Sequence, residues 1–292
     1  MPTDLAYKNV HRQGNWQPMG ARMLREERFG FGKNWKNFVE KNFSDERVKV
    51  SQDRLLEFLH LPDLRGLSVL DIGCGSGLHS YAALRAGAKS VHGFDYDERS
   101  VEASRFVHAQ AGAPANWTIQ QGSVLDEIFM RSLGTFDVVY SWGVLHHTGD
   151  VWKAIRNASL AVKEGGYFYI ALYSSDVQKP PYTAEFWLDV KRDYLKSSWV
   201  GKRRWEWWYI YNLMIERDLK KLPEFFERRA KYKENRGMEL MTDIRDWLGG
   251  WPMEFCRDND VKQFCEAELG FKLVNIDAGK HANTEFLFRR PA

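Results

Sequence analysis

The stretch Val69-Leu70-Asp71-Ile72-Gly73-Cys74-Gly75-Ser76-Gly77 decides the fold of this chain. Its first part is a short apolar run, which is typical of a parallel strand covered on both faces. Three alternate glycines follow, and residues 78–84 continue with apolar side chains at helical spacing. Glycine permits positive φ and lets a ligand approach the backbone, while a helix start offers unpaired N–H groups. We therefore predict a strand, a glycine loop and a helix that could bind an adenosine-bearing cofactor.

The spacing of these glycines favours one kind of cofactor. A dinucleotide fingerprint, Gly-x-Gly-x-x-Gly, would need a glycine at the position of Leu78. The chain instead has Gly-x-Gly-x-Gly, with Asp71 two residues before the first glycine. This motif resembles the first motif of class I S-adenosylmethionine-dependent methyltransferases. A nicotinamide dehydrogenase is disfavoured, and a tight strand–helix turn without a ligand is the remaining alternative.

Length, charge, cysteine content and apolar runs limit the classes of protein to which the chain can belong. The chain has 292 residues, enough for a large core, and its net charge of +3 does not by itself indicate a nucleic-acid partner. The three cysteines show no Cys-x-x-Cys spacing, so neither a disulfide framework nor a zinc site is predicted. No apolar run has the length of a membrane span, and the N-terminus lacks a signal-peptide core. We expect a cytoplasmic protein without a transmembrane segment.

The chain from Leu67 to about Tyr173 alternates short strands and helices, which predicts a parallel sheet with helices on both faces. The second predicted strand ends at Asp95, where an acid can hold the two ribose hydroxyl groups of an adenosine. Asp97 is better placed to cap the following helix. Tyr96 between them is a candidate to pack on the adenine.

The third and fourth predicted strands are followed by loops at the same edge. The resemblance implies that the loop after the third strand contacts the adenine, often through an Asp, but this chain has Ser123 near that place. Asp126 is then expected to cap a short helix. The fourth strand, Phe136–Ser141, leads into Val144-Leu145-His146-His147, which resembles the fourth motif of the same family. Because ligands lie beyond the carboxyl ends of such strands, this loop is expected to face the transferable methyl group.

The resemblance implies a Rossmann-like, doubly wound, seven-stranded sheet that is mostly parallel, with the last strand antiparallel. It also implies S-adenosyl-L-methionine as the cofactor. The expected cofactor-binding residues are Asp71, Gly73, Cys74, Gly75, Gly77, Asp95, Tyr96, Ser123, Val124, Ser141 and Trp142.

Candidate catalytic residues lie where the methyl group is expected. Methyl transfer needs an aligned acceptor and, for many acceptors, a base, and histidine suits this role near neutral pH. We predict that either His146 or His147 is the base or orients the acceptor, and that Tyr173 at the end of the fifth strand also faces it. The alternative is that both histidines only shape the pocket. No metal site is predicted, because no carboxylate lies at ligand spacing beside the pair.

Two regions surround the predicted core of residues 66–178 and 256–292. Residues 1–65 are expected to form an N-terminal cap or lid, and Phe31 to Trp35 is the part that could cover the cofactor. Residues 179–255 form a helical insertion rich in Arg, Lys and aromatic residues. This insertion could be a packed lid, a dimer surface, an acceptor-binding surface, or a site for RNA or a membrane surface. Interspersed acidic residues disfavour the last two.

The leading hypothesis is a methyltransferase that acts on an oxygen or nitrogen atom of a small-molecule or glycan-type acceptor. The glycan assignment rests on analogy with lidded members of the resembling family. An RNA-modifying methyltransferase and a non-catalytic cofactor-binding scaffold are the alternatives. The sequence leaves the oligomeric state open, and a homodimer is compatible with it.

Overall fold

The computed structural model describes residues 29–30, 32, 35, 39, 43–236, 240–278 and 283–292. The predicted cover from Phe31 to Trp35 lies outside these residues, except for Gly32 and Trp35. None of the helices within the described ranges is both long enough and apolar enough to cross a membrane.

Seven strands and ten α-helices lie in the described ranges. The strands are β1 (Ser68–Ile72), β2 (Ser90–Asp95), β3 (Trp117–Gln121), β4 (Phe136–Trp142), β5 (Val162–Tyr173), β6 (Lys272–Asp277) and β7 (Asn283–Arg289). The helices of the core are α1 (Asp45–Leu59), α2 (Leu78–Arg85), α3 (Glu98–Gln110), α4 (Glu127–Ser132) and α5 (Val151–Ser159), with α10 (Asp258–Gln263) near the C-terminus. The helices between β5 and α10 are α6 (Ala184–Lys196), α7 (Trp199–Tyr209), α8 (Leu222–Arg236) and α9 (Leu240–Gly249).

The strands form a single seven-stranded sheet in the order β3-β2-β1-β4-β5-β7-β6. Strands β1 to β5 pair in parallel, and β7 inserts antiparallel between β5 and β6. The predicted Rossmann-like, mostly parallel fold is therefore confirmed. The direction of winding reverses between β1 and β4, and ligands of open α/β sheets bind beyond the strand ends at such a point.

Alternate residues of the strands enter two separate cores, because successive strand side chains point to opposite faces. On one face, Leu70 and Ile72 of β1 pack in the cluster that includes α5 and α10. On the other face, Val69 packs in the cluster that includes α1, α2 and α3. Burial on both faces explains why the first strand is a nearly continuous apolar run.

Helices α6 to α9 pack around a third apolar cluster of their own. Its buried members are Trp187, Val190, Tyr194, Ile210, Ile215, Phe225, Leu240, Ile244 and Leu248. The buried carboxylate of Glu206 pairs with the guanidinium groups of Arg203 and Arg245, so some of the basic residues of this region are neutralised internally.

Two boundaries differ from what the sequence indicates. The residues from Val151 onward favour a helix to about Val162, but α5 ends at Ser159 and β5 already begins at Val162. The pair Gly165–Gly166 indicates a turn before the fifth strand, but it lies within β5, where the register with β4 shifts. Asp97 and Asp126 cap α3 and α4 with their side chains, as predicted, and of the two candidates Asp150 and Thr148 it is Asp150 that caps α5.

A buried carboxylate holds α1 on the sheet. Glu285 of β7 is only 4% exposed. It accepts hydrogen bonds from the hydroxyl group of Tyr169 on β5 and from the guanidinium group of Arg54 on α1. Removing one partner of a buried pair leaves the other polar groups desolvated and unsatisfied.

We therefore predict that Glu285→Ala lowers the free energy of unfolding by about 2–4 kcal/mol, because Tyr169 and Arg54 lose their acceptor. Urea unfolding followed by circular dichroism measures the change. The control is Glu57→Ala, an exposed position on α1, which should change stability by no more than about 0.5 kcal/mol. Equal effects of the two substitutions would contradict the role assigned to Glu285.

The glycine loop is closely packed against the loop that follows β4. Gly73, Gly75 and Gly77 all have positive φ, at 71°, 53° and 78°. A Cβ atom on Gly73 would lie 2.4 Å from the Cγ1 atom of Val144, which is well inside van der Waals contact. Gly134 also has a positive φ, of 76°, but a Cβ atom on Gly134 would have no neighbouring atom within 4 Å.

We predict that Gly73→Ala destabilises the protein more than Gly134→Ala, because it adds a steric clash to the same backbone strain. The expected losses are roughly 2–5 and roughly 1–2 kcal/mol, measured by urea unfolding without added ligand. Similar losses for both variants would mean that Val144 moves aside without penalty.

Candidate active site

The glycine loop is held to the end of β2 by backbone hydrogen bonds. The N–H groups of Gly73 and Cys74 donate to the carbonyl oxygen of Phe94 at 2.8 and 3.0 Å. Gly77 precedes α2 as its N-cap and makes no side-chain capping hydrogen bond. The first turn of α2 therefore presents backbone N–H groups at the strand ends, where they can bind a negatively charged group.

The carboxylate of Asp95 lies beside this loop with a fixed orientation. Its two oxygens accept hydrogen bonds from the N–H groups of Gly75, at 3.0 Å, and of Asp97, at 2.9 Å. A carboxylate has about four acceptor sites, so it can also bind ligand hydroxyl groups while it holds these donors. The structure thus brings the predicted ribose-binding acid next to the glycine loop.

The side chains of Asp71 and Cys74 are buried and connect the glycine loop to the helices that flank it. The hydroxyl group of Ser80 on α2 donates to the Asp71 carboxylate at 2.5 Å. Burial raises the pKa of Asp71 to about 7. The Cys74 sulfur lies 3.3 Å from the Ser104 hydroxyl oxygen, and burial raises the pKa of this thiol. Both side chains connect β1 and its loop to the flanking helices.

Two described residues of the N-terminal segment lie on this surface. A Cβ atom on Gly75 would lie 3.4 Å from Nε1 of Trp35, so the missing side chain leaves a narrow space under the indole. The N–H group of Gly32 donates to the Asp97 carboxylate at 3.0 Å. Tyr96, which follows Asp95 directly, is 37% exposed.

The loop after β3 is anchored to α5. Val124 is buried, and its carbonyl oxygen accepts a hydrogen bond from the Asn157 side chain at 2.8 Å. The Ser123 hydroxyl oxygen accepts from the N–H group of Leu125 at 3.3 Å. Sequence reasoning missed Asn157, and its position on a buried helix face would have been the signal.

Ser141 and Trp142 end β4 next to β1. Ser141 is fully buried, and its hydroxyl group donates to the carbonyl oxygen of Ile72 at 3.1 Å. Trp142 is half-buried on the opposite face. Ser141 therefore ties the ends of the two central strands together, and only Trp142 of this pair is partly accessible.

His146 and His147 form a short 3-10 turn directly after β4. Their rings lie near Tyr173, with centroid distances of 4.3 Å from His146 and 5.8 Å from His147. The structure thus brings the three predicted catalytic side chains together at the ends of β4 and β5.

The two imidazoles have different hydrogen-bond partners. Nδ1 of fully buried His146 accepts from the backbone N–H of Tyr173 at 3.3 Å, so in the neutral ring the proton lies on Nε2. That Nε2 atom is buried and has no partner among the described residues. Nδ1 of His147 contacts the carbonyl oxygen of Pro252 at 2.7 Å, so it must donate, and Nε2 holds the lone pair.

Burial also shifts the pKa values of two side chains in this region, His146 and Glu254. It lowers the pKa of His146 well below its usual value, and the nearby His147 and Lys191 lower it further, so His146 is neutral. Glu254 donates its backbone N–H to the His146 carbonyl oxygen and accepts from Val151 N–H with its side chain, both at 2.9 Å. Burial raises the pKa of Glu254 to about 7.

The segment that follows α9, the return loop, leads from the helical insertion back to the core, and its contacts could not be predicted from the sequence. Pro252 and Glu254 contact the histidine pair across long sequence separations. Trp247 of α9 packs edge-on against Tyr173, with 5.3 Å between ring centroids. Helices of the insertion therefore cover the same strand ends as the histidines.

Similarity to known proteins agrees with this geometry. A family model described as a methyltransferase domain matches residues 63–213, just over half of the chain. A tRNA U34 carboxymethyltransferase from Idiomarina loihiensis is 36% identical over 110 residues, which cover 37% of this chain and 33% of the relative. A ubiquinone biosynthesis O-methyltransferase from Rhizobium rhizogenes is 38% identical over 109 residues, which cover 37% of this chain and 42% of the relative. The chain thus spans less than half the length of either relative.

A solved structure extends the similarity to the whole fold. Magnesium protoporphyrin IX methyltransferase from Synechocystis, with bound S-adenosylhomocysteine, superposes with a TM-score of 0.53 at 15% identity, covering 92% of this chain and 98% of that one. At this identity the match supports the fold alone. The open helix start, the space over Gly75 and the oriented Asp95 carboxylate fit an adenosine-bearing cofactor. By its family match and its fold, the chain belongs to the class I S-adenosylmethionine-dependent methyltransferases.

Proposed function

We propose that this protein methylates an oxygen or nitrogen atom of a small-molecule or glycan-type acceptor. The observation that carries the proposal is the position of His147 and Tyr173 at the ends of β4 and β5, under helices of the insertion. A covered site of this kind suits an acceptor that can be enclosed.

The proposed cofactor seat combines residues at the ends of four strands, β1 to β4. Gly73, Gly75 and Gly77 allow close approach of the backbone, and Asp95 accepts hydrogen bonds from the ribose hydroxyl groups. Asp71 and Cys74 support the loop rather than contact the ligand, as their inward partners indicate. Ser141 is also buried and ties β4 to β1 through its hydroxyl group. The remaining residues of the predicted seat are Tyr96, Ser123 and Val124 on the adenine side and Trp142 near the methyl group.

The proposed chemistry gives His146 and His147 different roles, which the sequence alone left open. S-adenosylmethionine supplies a methyl group that is already activated on its sulfonium, so the chain must orient the acceptor and accept its proton. His147 suits the base, because Pro252 holds its Nδ1–H and the lone pair remains on Nε2. His146 suits a neutral hydrogen-bond donor through Nε2. Residues 179–255 form the acceptor cover in this proposal.

An RNA acceptor is the second candidate, because one relative carries the name of a tRNA U34 carboxymethyltransferase. The internal pairing of Arg203 and Arg245 with Glu206 weakens this candidate, since these guanidinium groups are partly neutralised. An acceptor screen therefore includes total tRNA. Methyl incorporation into RNA alone, with binding that falls steeply with salt, would replace the small-molecule proposal.

We predict that Asp95→Ala weakens S-adenosylmethionine binding by about 10- to 100-fold, because charge-assisted hydrogen bonds to the ribose are lost. Isothermal titration calorimetry measures the dissociation constant. Asp126→Ala is the matched control, since this aspartate caps α4 from the neighbouring loop and is exposed, and its affinity should equal that of the wild type. If Asp95→Ala bound S-adenosylmethionine as tightly as the wild type, Asp95 would not be the residue that binds the ribose.

We predict that His147→Ala lowers kcat by about 10²–10⁴ while cofactor affinity is unchanged, because a positioned base is removed. Transfer of labelled methyl from S-adenosylmethionine to an acceptor found in the screen is the assay. His108→Ala is the control, because His108 also contacts a proline carbonyl oxygen, that of Pro114, at 3.2 Å but lies on α3. Wild-type turnover by His147→Ala would show that His147 is not the base.

A further inference from the structure

Lys191 is a buried cation in the helical insertion. It is 1% exposed on α6, between Trp187 and Tyr194 on the apolar face of that helix. Its Nζ donates to the backbone carbonyl oxygen of Trp247 and lies 4.5 Å from the centre of the Trp247 ring. An ammonium group has three donors, and this contact accounts for one of them.

No carboxylate of the described residues forms an ion pair with this ammonium group. Asp246 acts on it only through space, and burial lowers the pKa of Lys191 to about 7. The carbonyl of Trp247 lies in the last turn of α9, where the helix dipole favours a cation, and this contact gives Lys191 a structural role. One carbonyl group does not replace the hydration of a buried ammonium, so its burial remains unfavourable.

The neighbours of Lys191 belong to the proposed reaction site. Its charge is among the causes that lower the pKa of His146, and Trp247, on which it lies, packs against Tyr173. Nε2 of His146 and Nε1 of Trp247 are buried without a hydrogen-bond partner among the described residues. Both are N–H donors, given the acceptor role of His146 Nδ1.

Three N–H-bearing groups from α6, α9 and the turn after β4 therefore belong to one connected cluster. The Lys191 ammonium group lies over the Trp247 ring, and the rings of Trp247 and His146 both pack against Tyr173. The chemical complement of such a set is a group that offers several acceptor oxygens and a negative charge. A carboxylate meets both conditions. Unsatisfied buried donors also disfavour an apolar group at the same place, because it offers no acceptor.

We propose that Lys191 binds a carboxylate of the acceptor, with Trp247 and His146 as further donors, so that the substrates are small carboxylic acids. This inference rests on the proposed methyltransferase function and narrows its acceptor class. The carboxylate binds under the insertion, and the nucleophilic atom of the same molecule then lies toward His147. Neutral analogues of the acceptor lose the ion pair and bind weakly.

The test compares matched acids and amides on protein loaded with S-adenosylhomocysteine. The probes are hydroxybenzoates, hydroxycinnamates and short aliphatic hydroxy acids, each paired with its carboxamide, and calorimetry measures binding. We expect at least one acid to bind the wild type about tenfold or more tightly than its amide. This preference should disappear in Lys191→Met and Lys191→Gln. Lys196→Met, at an exposed position of the same helix, should retain it.

Two results would overturn the inference. The first is that no acid binds the wild-type protein more tightly than its amide does. This comparison does not depend on whether a variant folds. The other is an acid preference that survives in a folded Lys191→Met or Lys191→Gln protein, which would leave Lys191 only its contact with Trp247. Binding of S-adenosylhomocysteine is measured first on every protein. Its absence from the wild type would reject the proposed function itself, whereas its presence without acid preference rejects only the role of Lys191.

Discussion

The close contact between the loops that follow β1 and β4 is the constraint on which the site depends. Gly73 lies against Val144 with no room for a Cβ atom, and Ser141 bonds to the carbonyl oxygen of Ile72. These contacts bring the glycine loop and the histidine turn together at the point where the sheet reverses its direction. A cofactor bound to the glycine loop is thereby adjacent to the histidine turn.

The insertion completes this arrangement from the opposite side. Its return loop reaches the histidine turn through the Pro252 carbonyl oxygen and the Glu254 backbone, while Lys191 and Trp247 approach from α6 and α9. Several ionisable groups here are buried. Burial raises the pKa of Glu254 and lowers that of Lys191, in each case to about 7. Perturbed pKa values of this kind are common at functional sites.

Much of the core could be predicted from the sequence, because its signals are local. The apolar run at Val69, the alternate glycines and the capping aspartates each act within a few residues, and the sheet order follows from the family resemblance. The pair Gly165–Gly166 indicates a turn in the sequence, but it forms an irregularity inside a long strand, which uses the same residue type. Contacts of Lys191, Asn157 and Pro252 could not be predicted, since they depend on the packing of distant segments.

In the proposed function, the ends of β1, β2 and β4 form one cofactor and reaction site. A crystal structure with bound S-adenosylhomocysteine tests it most directly. We predict ribose hydroxyl groups at about 2.6–3.0 Å from the Asp95 carboxylate, with the sulfur atom directed toward His147 and Tyr173. A nucleoside bound elsewhere, or a sulfur atom directed away from the histidine turn, would contradict it.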